Sequence, residues 1–184
     1  GIRFENMRDL TIGDATTGGN VKIEDNSGLN NMGGNGGGTS SNYVLYFNNV
    51  NNATVDNVDL ARPVGATPAQ DLTGIRIDNG AAYGPITIKD CNISRHRVGI
   101  SAQGGKDYTV TGNDLRGCGG SSDDPALWFN GITQQNSTVP MGIIANTNTF
   151  GTVNSVVSNC ALRLDNLCGI RISDGTVANT NISL

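Results

Sequence analysis

Six short segments of the chain alternate between apolar side chains and polar or aromatic ones with a period of two. Such alternation predicts β-strands, because successive side chains of a strand face opposite sides of a sheet. The apolar face of these segments carries Ile2, Leu45, Ile75, Ile100, Leu127 and Leu162 and, two residues later, Phe4, Phe47, Ile77, Ala102, Phe129 and Leu164. We therefore predict six strands that stack one apolar face against a common core. No segment shows sustained helical periodicity.

A second alternating phrase follows these strands. Its copies span residues 54–60, 87–93, 109–115 and 176–182, with a weaker copy at 143–149 and a partial copy that starts at residue 11. A unit of roughly 20–45 residues that repeats itself indicates a solenoid, because one unit cannot bury its apolar face without neighbours. One position after the second strand is occupied by Asn57, Asp90, Asn146 and Asn179. We interpret this position as a structural corner, since Asn and Asp side chains bond nearby backbone groups in turns.

The two phrases in each unit, the Asn/Asp position and openings such as Gly74-Ile75-Arg76 resemble the right-handed parallel β-helix family. That family includes pectin- and alginate-degrading enzymes and bacteriophage tailspikes. The resemblance covers most of the chain and implies an all-β fold, a right-handed parallel β-helix solenoid of about six coils. Right-handedness also agrees with the rule for parallel crossover connections. The resemblance says little about function, which belongs to sites rather than to folds.

We predict a single domain over residues 1–184 with a Gly/Asn-rich insertion at 13–42. The insertion either lengthens one corner or contains an extra partial coil, in which 21–23 form a short strand. Because both ends of the chain lie in predicted strands, we expect a longer natural chain, or another chain that covers the open strand edges. The expected partners at the ends are therefore further coils of the same chain or another chain. The resemblance to tailspikes adds a homotrimer to these assemblies.

The composition narrows the function classes. The chain has 26 glycines and only 15% charged residues, which fits short strands joined by tight turns. A net charge of −4 gives no basic surface for nucleic acid. No apolar run is long enough to span a membrane as a helix. We therefore predict neither a nucleic-acid partner nor a membrane partner.

The four cysteines and the single histidine show no metal-ligand spacing, so we predict no metal site and no cofactor. Cys91 takes the position that Val58 has in the repeat, and we predict a small buried apolar residue there. Cys160 and Cys168 are close enough in sequence to close a loop, but spacing alone does not determine pairing.

The outward faces of the six predicted strands carry the candidate binding residues. One column contains Arg3, Tyr46, Arg76, Ser101, Trp128 and Arg163, and the next contains Glu5, Asn48, Asp78, Gln103, Asn130 and Asp165. Sugars require flat faces for stacking and many planar hydrogen-bonding groups, and Arg grips acidic groups bidentately. We predict that a linear glycan lies along these columns. The alternative is an ordinary solvated sheet face on which opposite charges are neighbours.

Catalytic candidates are fewer. Asp78 lies centrally with Arg76 beside it, and a neighbouring Arg favours the ionised carboxylate that a base or nucleophile needs. The partner acid would come from Glu5, from Asp123-Asp124 or from another chain. Asp123-Asp124 resembles the double Asp of polygalacturonases, but the other motifs of that family are absent. His96 is a further candidate base, although a lone His between two arginines is more often an exposed loop residue.

Two function classes follow from these residues. The first is an extracellular or virion-surface module of the tailspike or adhesin type that recognises polysaccharide. The second is a polysaccharide lyase or glycoside hydrolase of the pectin-lyase-like superfamily. The absence of the known catalytic signatures favours the first class. The sequence does not identify the glycan.

Overall fold

The computed structural model of the chain describes residues 1–13, 21–22, 42–62, 72–119, 125–131, 141–150, 162–165 and 182–183. Within these ranges the fold is all-β and contains no helix. The described residues form fourteen strands: β1 Ile2–Glu5, β2 Arg8–Ile12, β3 Val21–Lys22, β4 Asn42–Asn48, β5 Asn51–Asp56, β6 Val58–Asp59, β7 Leu72–Asn79, β8 Ile86–Lys89, β9 Val98–Gly104, β10 Tyr108–Thr111, β11 Leu127–Asn130, β12 Ile143–Asn146, β13 Leu162–Asp165 and β14 Ile182–Ser183.

The first sheet has seven parallel strands in the order β1-β4-β7-β9-β11-β13-β14. Its register is the one that the apolar columns predict: Leu45 pairs with Ile2 and Ile75, and the pairing continues through Ile100, Leu127 and Leu162. The polar columns are consequently in register as well. β14 adds a seventh strand through the pairing of Ile182 with Leu162. The sequence alignment is wrong at this point, because it placed Ile182 at the end of a second-strand phrase.

The second sheet has five parallel strands in the order β12-β10-β8-β5-β2. Thr54 pairs with Thr11 and Thr87, and Thr87 pairs with Thr109, as the repeated phrase predicts. The weak copy at 143–149 is displaced by one residue, because Thr109 pairs with Ile144 and not with Ile143. Asn146 therefore lies one position before the corner to which the sequence assigned it.

A third, shorter ladder of parallel pairings follows the second sheet along the chain. β3 pairs with β6 in parallel, so the strand predicted inside the insertion is confirmed at Val21–Lys22, while Ile23 lies outside the described residues. Single parallel bridges continue this ladder from Asp59 to Asn92, Asp114 and Thr149. Up to Phe150, consecutive described segments therefore belong to the first sheet, the second sheet and the third ladder, and this order repeats along the chain.

The core lies between the sheets and contains the predicted apolar columns. Leu45, Ile75 and Ile100 are fully buried, as are most members of the second column. The prediction is wrong for Ile2, which is 43% exposed because β1 is the edge strand of the first sheet. Leu162 is only partly buried. Burial is therefore complete in the middle of the stack of strands and incomplete at its edges.

The corner after the second strand requires left-handed backbone. Asn57 and Asp90 occupy it with φ of 55° and 54°, Gly112 with 68° and Thr147 with 54°. Asn and Gly tolerate this conformation, which explains the corner that the sequence predicts at Asn57 and Asp90. Asn179 lies outside the described residues.

An inward amide ladder lies one residue after this corner, where the sequence did not predict it. The Asn113 amide donates to the Ile88 carbonyl at 3.0 Å, and its oxygen accepts from the Cys91 N–H at 3.0 Å. Asn148 repeats the arrangement one strand further, donating to the Val110 carbonyl at 2.8 Å. Cys91 holds the equivalent position and is buried, as predicted. Its thiol forms no disulfide. These side chains join consecutive strands through buried hydrogen bonds.

Candidate functional site

The outward face of the first sheet brings the candidate residues together. Strand register places Tyr46, Arg76, Ser101, Trp128 and Arg163 at equivalent positions on consecutive strands, with Arg3 at the edge. The second row is in register two residues later and contains Glu5, Asn48, Asp78, Gln103, Asn130 and Asp165. Neighbours in a row are one strand apart, or roughly 4.8 Å.

The first cluster on this face is formed by Tyr46, Arg76 and Asp78. Asp78 Oδ2 accepts hydrogen bonds from the Tyr46 hydroxyl at 2.9 Å and from Arg76 Nε at 3.0 Å. The guanidinium groups of Arg76 and Arg3 lie 6.0 and 4.9 Å from the centre of the Tyr46 ring. Arg3 also forms an ion pair with Glu5. Burial and the hydrogen bond to Asp78 raise the pKa of Tyr46.

The second cluster repeats this geometry with Trp128, Arg163 and Asp165. Asp165 Oδ2 accepts from the Trp128 indole N–H at 2.9 Å and from Arg163 Nε at 2.8 Å. The Arg163 guanidinium lies 5.2 Å from the Trp128 ring centre. In both clusters, an aromatic residue donates to the carboxylate of the next strand, and an Arg two residues before that carboxylate contacts both groups. The columns therefore contain a recurring arginine–carboxylate–aromatic cluster.

Exposure on this face is uneven. Trp128 is partly exposed, as a binding role requires, and so are the amides of Asn48, Gln103 and Asn130. Tyr46 is only 9% exposed, so its prediction as a solvent-facing residue is wrong. The ring points outward, but the Tyr43 ring, 4.7 Å away between centroids, and the guanidinium groups of Arg3 and Arg76 pack around it. A binding partner would contact these surrounding groups before it contacts Tyr46.

The predicted catalytic carboxylate is held within its cluster. Oδ2 of Asp78 is engaged twice, and Oδ1 is buried without a hydrogen-bond partner among the described residues. Glu5 lies on β1, two strands from Asp78, as the sequence predicts. Asp123 and Asp124 lie outside the described residues. Among the predicted catalytic carboxylates, the described residues therefore contain Asp78 and Glu5, roughly 9.6 Å apart by strand spacing.

His96 does not belong to this face. It is fully buried, with Nε2 2.7 Å from the Leu60 carbonyl oxygen and Nδ1 without a partner among the described residues. The pKa of His96 is lowered to about 4, chiefly by burial and to a smaller extent by the nearby charges of Arg62 and Arg95. The expectation of an exposed loop histidine is wrong, because the corner folds the ring inward. A neutral, buried ring has no access to a substrate on the outward face.

Ser101 occupies the middle of the outward row, at the position that the predicted column gives it. It is 5% exposed and lies between Arg76 on one strand and Trp128 on the other. One small residue therefore interrupts a run of large side chains along this row.

Comparison with protein-family models, with curated proteins and with solved structures found no match to this chain. Within the described part of the chain, no helix is long and apolar enough to cross a membrane. The same ranges contain no group of three or more His, Cys, Asp or Glu side chains placed to hold a metal ion.

Proposed function

We propose that the chain is a right-handed parallel β-helix solenoid of six or seven coils. The support is the repeating order of first sheet, second sheet and third ladder, with parallel pairing throughout the described strands. Parallel strands joined by crossover connections are right-handed in nearly all proteins. An experimental structure in which Leu45, Ile75 and Ile100 do not stack on one another would refute this fold.

The function that we propose is recognition of polysaccharide along the outward face of the first sheet, by an extracellular or virion-surface module of the tailspike or adhesin type. One observation carries it: two arginine–carboxylate–aromatic clusters and three amides stand in register on consecutive strands. This row offers an indole face and planar hydrogen-bonding groups at a regular spacing. A linear glycan has the matching repeat of hydroxyls and flat faces.

Trp128 is the residue to test first. Trp128→Ala removes the partly exposed ring without emptying the core, so we expect glycan binding to weaken about tenfold or more while the melting temperature changes little. Thr87→Ala on the outward face of the second sheet is the matched control, because it alters an equivalent strand position away from the site. Equal binding by the parent and Trp128→Ala would contradict the proposed site.

An enzyme of the lyase or glycoside hydrolase class is the alternative, with Asp78 as base or nucleophile and Arg76 beside it. The separation of Asp78 and Glu5 is near the upper end of the range for an inverting pair of carboxylates. Depolymerisation of any bound glycan should be measured for the parent and for Asp78→Asn. Activity that is lost in Asp78→Asn supports the enzyme, and binding without depolymerisation supports the recognition module.

A further inference from the structure

We infer that two copies of this chain associate through β1, with the two β1 strands side by side in an antiparallel pair that is centred on Phe4. The inference goes beyond the proposed glycan recognition and does not depend on it. Within the described strands, β1 lies at the edge of the first sheet and pairs with β4 on one side only. An edge strand of this kind presents unpaired N–H and C=O groups to another strand.

The open side of β1 presents the backbone groups of Arg3 and Glu5. The N–H of Asn6, directly after the strand, donates to the Asn48 carbonyl of β4 at 2.9 Å. Because the N–H and C=O of one trans peptide group point in opposite directions, the Glu5 carbonyl points away from β4. The direction alternates from residue to residue along a strand, so Arg3 shares the orientation of Glu5 and Phe4 does not.

An antiparallel pair centred on Phe4 uses these open groups. It places Arg3 of one copy opposite Glu5 of the other, and facing residues whose backbone groups point toward each other exchange both N–H···O bonds. Two-fold symmetry repeats the exchange on the other side of Phe4. This register therefore satisfies the open N–H and C=O groups of both residues in both copies.

The side chains at the same two positions are complementary to themselves. Arg3 and Glu5 form an ion pair within the chain, and about half of each side chain is exposed (50% and 45%). In the proposed register, the Arg3 side chain of each copy lies opposite the Glu5 side chain of the other, so four charges of alternating sign form one group. Opposite charges at facing strand positions stabilise the pair, and a two-fold contact requires such self-complementarity.

The inward side chains of this edge are apolar and incompletely covered. Ile2 is 43% exposed, and Phe4 is only partly buried, with its ring 5.6 Å from that of Phe47 between centroids. A pair centred on Phe4 places the two Phe4 side chains opposite each other, with Cβ atoms about 5 Å apart. The aromatic packing of one core therefore continues into the other, and the open end of each core is covered.

This contact also extends the outward face of the first sheet. Facing residues of an antiparallel pair project to the same side, so the outward faces of both copies lie on one side of the joined sheet. A polysaccharide bound to one face then meets the second face at a high effective concentration. This consequence alone rests on the proposed function, because the association itself is measured without glycan.

The test is the molar mass of the full chain in solution, measured by sedimentation over a range of concentrations. The contact contains one short strand from each copy, so we expect a weak dimer with a dissociation constant on the order of 10 µM or above. Salt should weaken it, because exposed ion pairs are screened. A chain that is still monomeric at about 1 mM overturns the inference. Species that grow beyond the dimer with concentration also overturn it, since they indicate a head-to-tail contact.

Charge reversal tests the register. Arg3→Glu and Glu5→Arg each place like charges opposite one another, so each variant alone should associate at least about tenfold more weakly than the parent. An equimolar mixture of the two should recover the association, because two negative side chains of one variant then face two positive side chains of the other. Mixing does not restore the ion pair within either chain, so recovery reports the contact between copies.

Arg116→Glu is the matched control. Arg116 forms a similarly exposed ion pair with Asp114, two residues away and outside β1, and this variant should associate as the parent does. The melting temperature of every variant is measured to show that it is folded. A mixture that associates no better than its two components, or an equal loss of association in Arg116→Glu, overturns the antiparallel pair centred on Phe4.

Discussion

At the residue scale, the buried apolar stack determines most of the stability. Ile75 and Ile100 have no exposed surface and pack in the middle of the core. Ile75→Ala or Ile100→Ala should lower the free energy of unfolding by roughly 2–5 kcal/mol, through lost burial and the cavity that remains. Ile144→Ala is the control, because Ile144 is 56% exposed on an outward strand position. The free energy of unfolding is measured by chemical denaturation. If all three substitutions lower it by a similar, small amount, the core is not packed as described.

His96 predicts a pH dependence of stability. Its pKa is lowered from 6.5 to about 4 in the folded protein, so the unfolded chain binds more protons between those values. Stability is therefore complete above pH 6.5 and decreases as the pH falls toward 4, by up to about 3 kcal/mol. His96→Gln keeps a donor for the Leu60 carbonyl and does not titrate, so its stability should fall less over the same range. Parallel curves for the parent and His96→Gln from urea unfolding at each pH would contradict the buried neutral ring.

The burial of His96 could not be predicted from the sequence. Its neighbours Arg95 and Arg97 are polar, and its hydrogen-bond partner Leu60 is 36 residues away. Tyr46 is a related case, because its strand position correctly predicted an outward ring but not the two arginines that pack around it. Both errors come from contacts between distant segments, which local alternation does not encode.

At the scale of the element, the corners test the register of the repeat. Thr147 adopts φ of 54° where the equivalent positions hold Asn57, Asp90 and Gly112. A β-branched residue is strained in this left-handed conformation, which Asn tolerates better. Thr147→Asn should therefore raise the free energy of unfolding by about 1 kcal/mol. The control is Thr109→Asn at a strand position, which should be neutral or destabilising, and a loss of stability in Thr147→Asn would refute the left-handed corner.

The sequence predicted the strands of the first sheet with correct register because two apolar columns fixed it independently. It placed the phrase at 143–149 one residue too early. Ile143 and Ile144 are both apolar, so the sequence does not show which of the two faces the core. The structure resolves the choice: Ile144 faces outward, and Ile143 packs against the core. The inward amides of Asn113 and Asn148 escaped prediction for a similar reason, since a buried Asn and an exposed corner Asn look alike in sequence.

At the scale of the whole molecule, the sequence predicted the candidate site as two rows of outward side chains. The structure shows that these side chains form two hydrogen-bonded arginine–carboxylate–aromatic clusters. Strand register alone places Trp128 beside Ser101 and Arg163, and the sequence contained that register. Which way each side chain leans depends on hydrogen bonds across strands, such as that from Trp128 to Asp165. The same clusters pair Arg76 with Asp78 and Arg163 with Asp165. These pairings depend on the three-dimensional arrangement, which the alternation of the sequence does not encode.

The proposed stack of coils predicts how the molecule opens. Units of a solenoid contact only their neighbours, so fraying starts at edge strands and the middle opens last. Cys91 and Cys118 are buried free thiols in the middle of the described strands. Burial raises the pKa of Cys91 to about 11 and that of Cys118 to about 12, which suppresses the reactive thiolate.

These two thiols should therefore react with a thiol reagent only through global unfolding. The measurement uses a Cys160→Ser/Cys168→Ser background, so that the two described thiols are the only ones, and checks that its melting temperature matches the reduced parent. Adding Ile12→Cys places a third thiol on β2, the edge strand of the second sheet. We expect this edge thiol to react faster than the central pair by at least about tenfold, because Ile12 is only partly buried and because opening of an edge strand costs less free energy than global unfolding. Urea should accelerate the central thiols with the slope of global unfolding, since both report the same exposure of surface. If the central thiols react as fast as the edge thiol, the middle of the stack opens as readily as its edge. That result would refute the proposal that the units unfold from the edges inward.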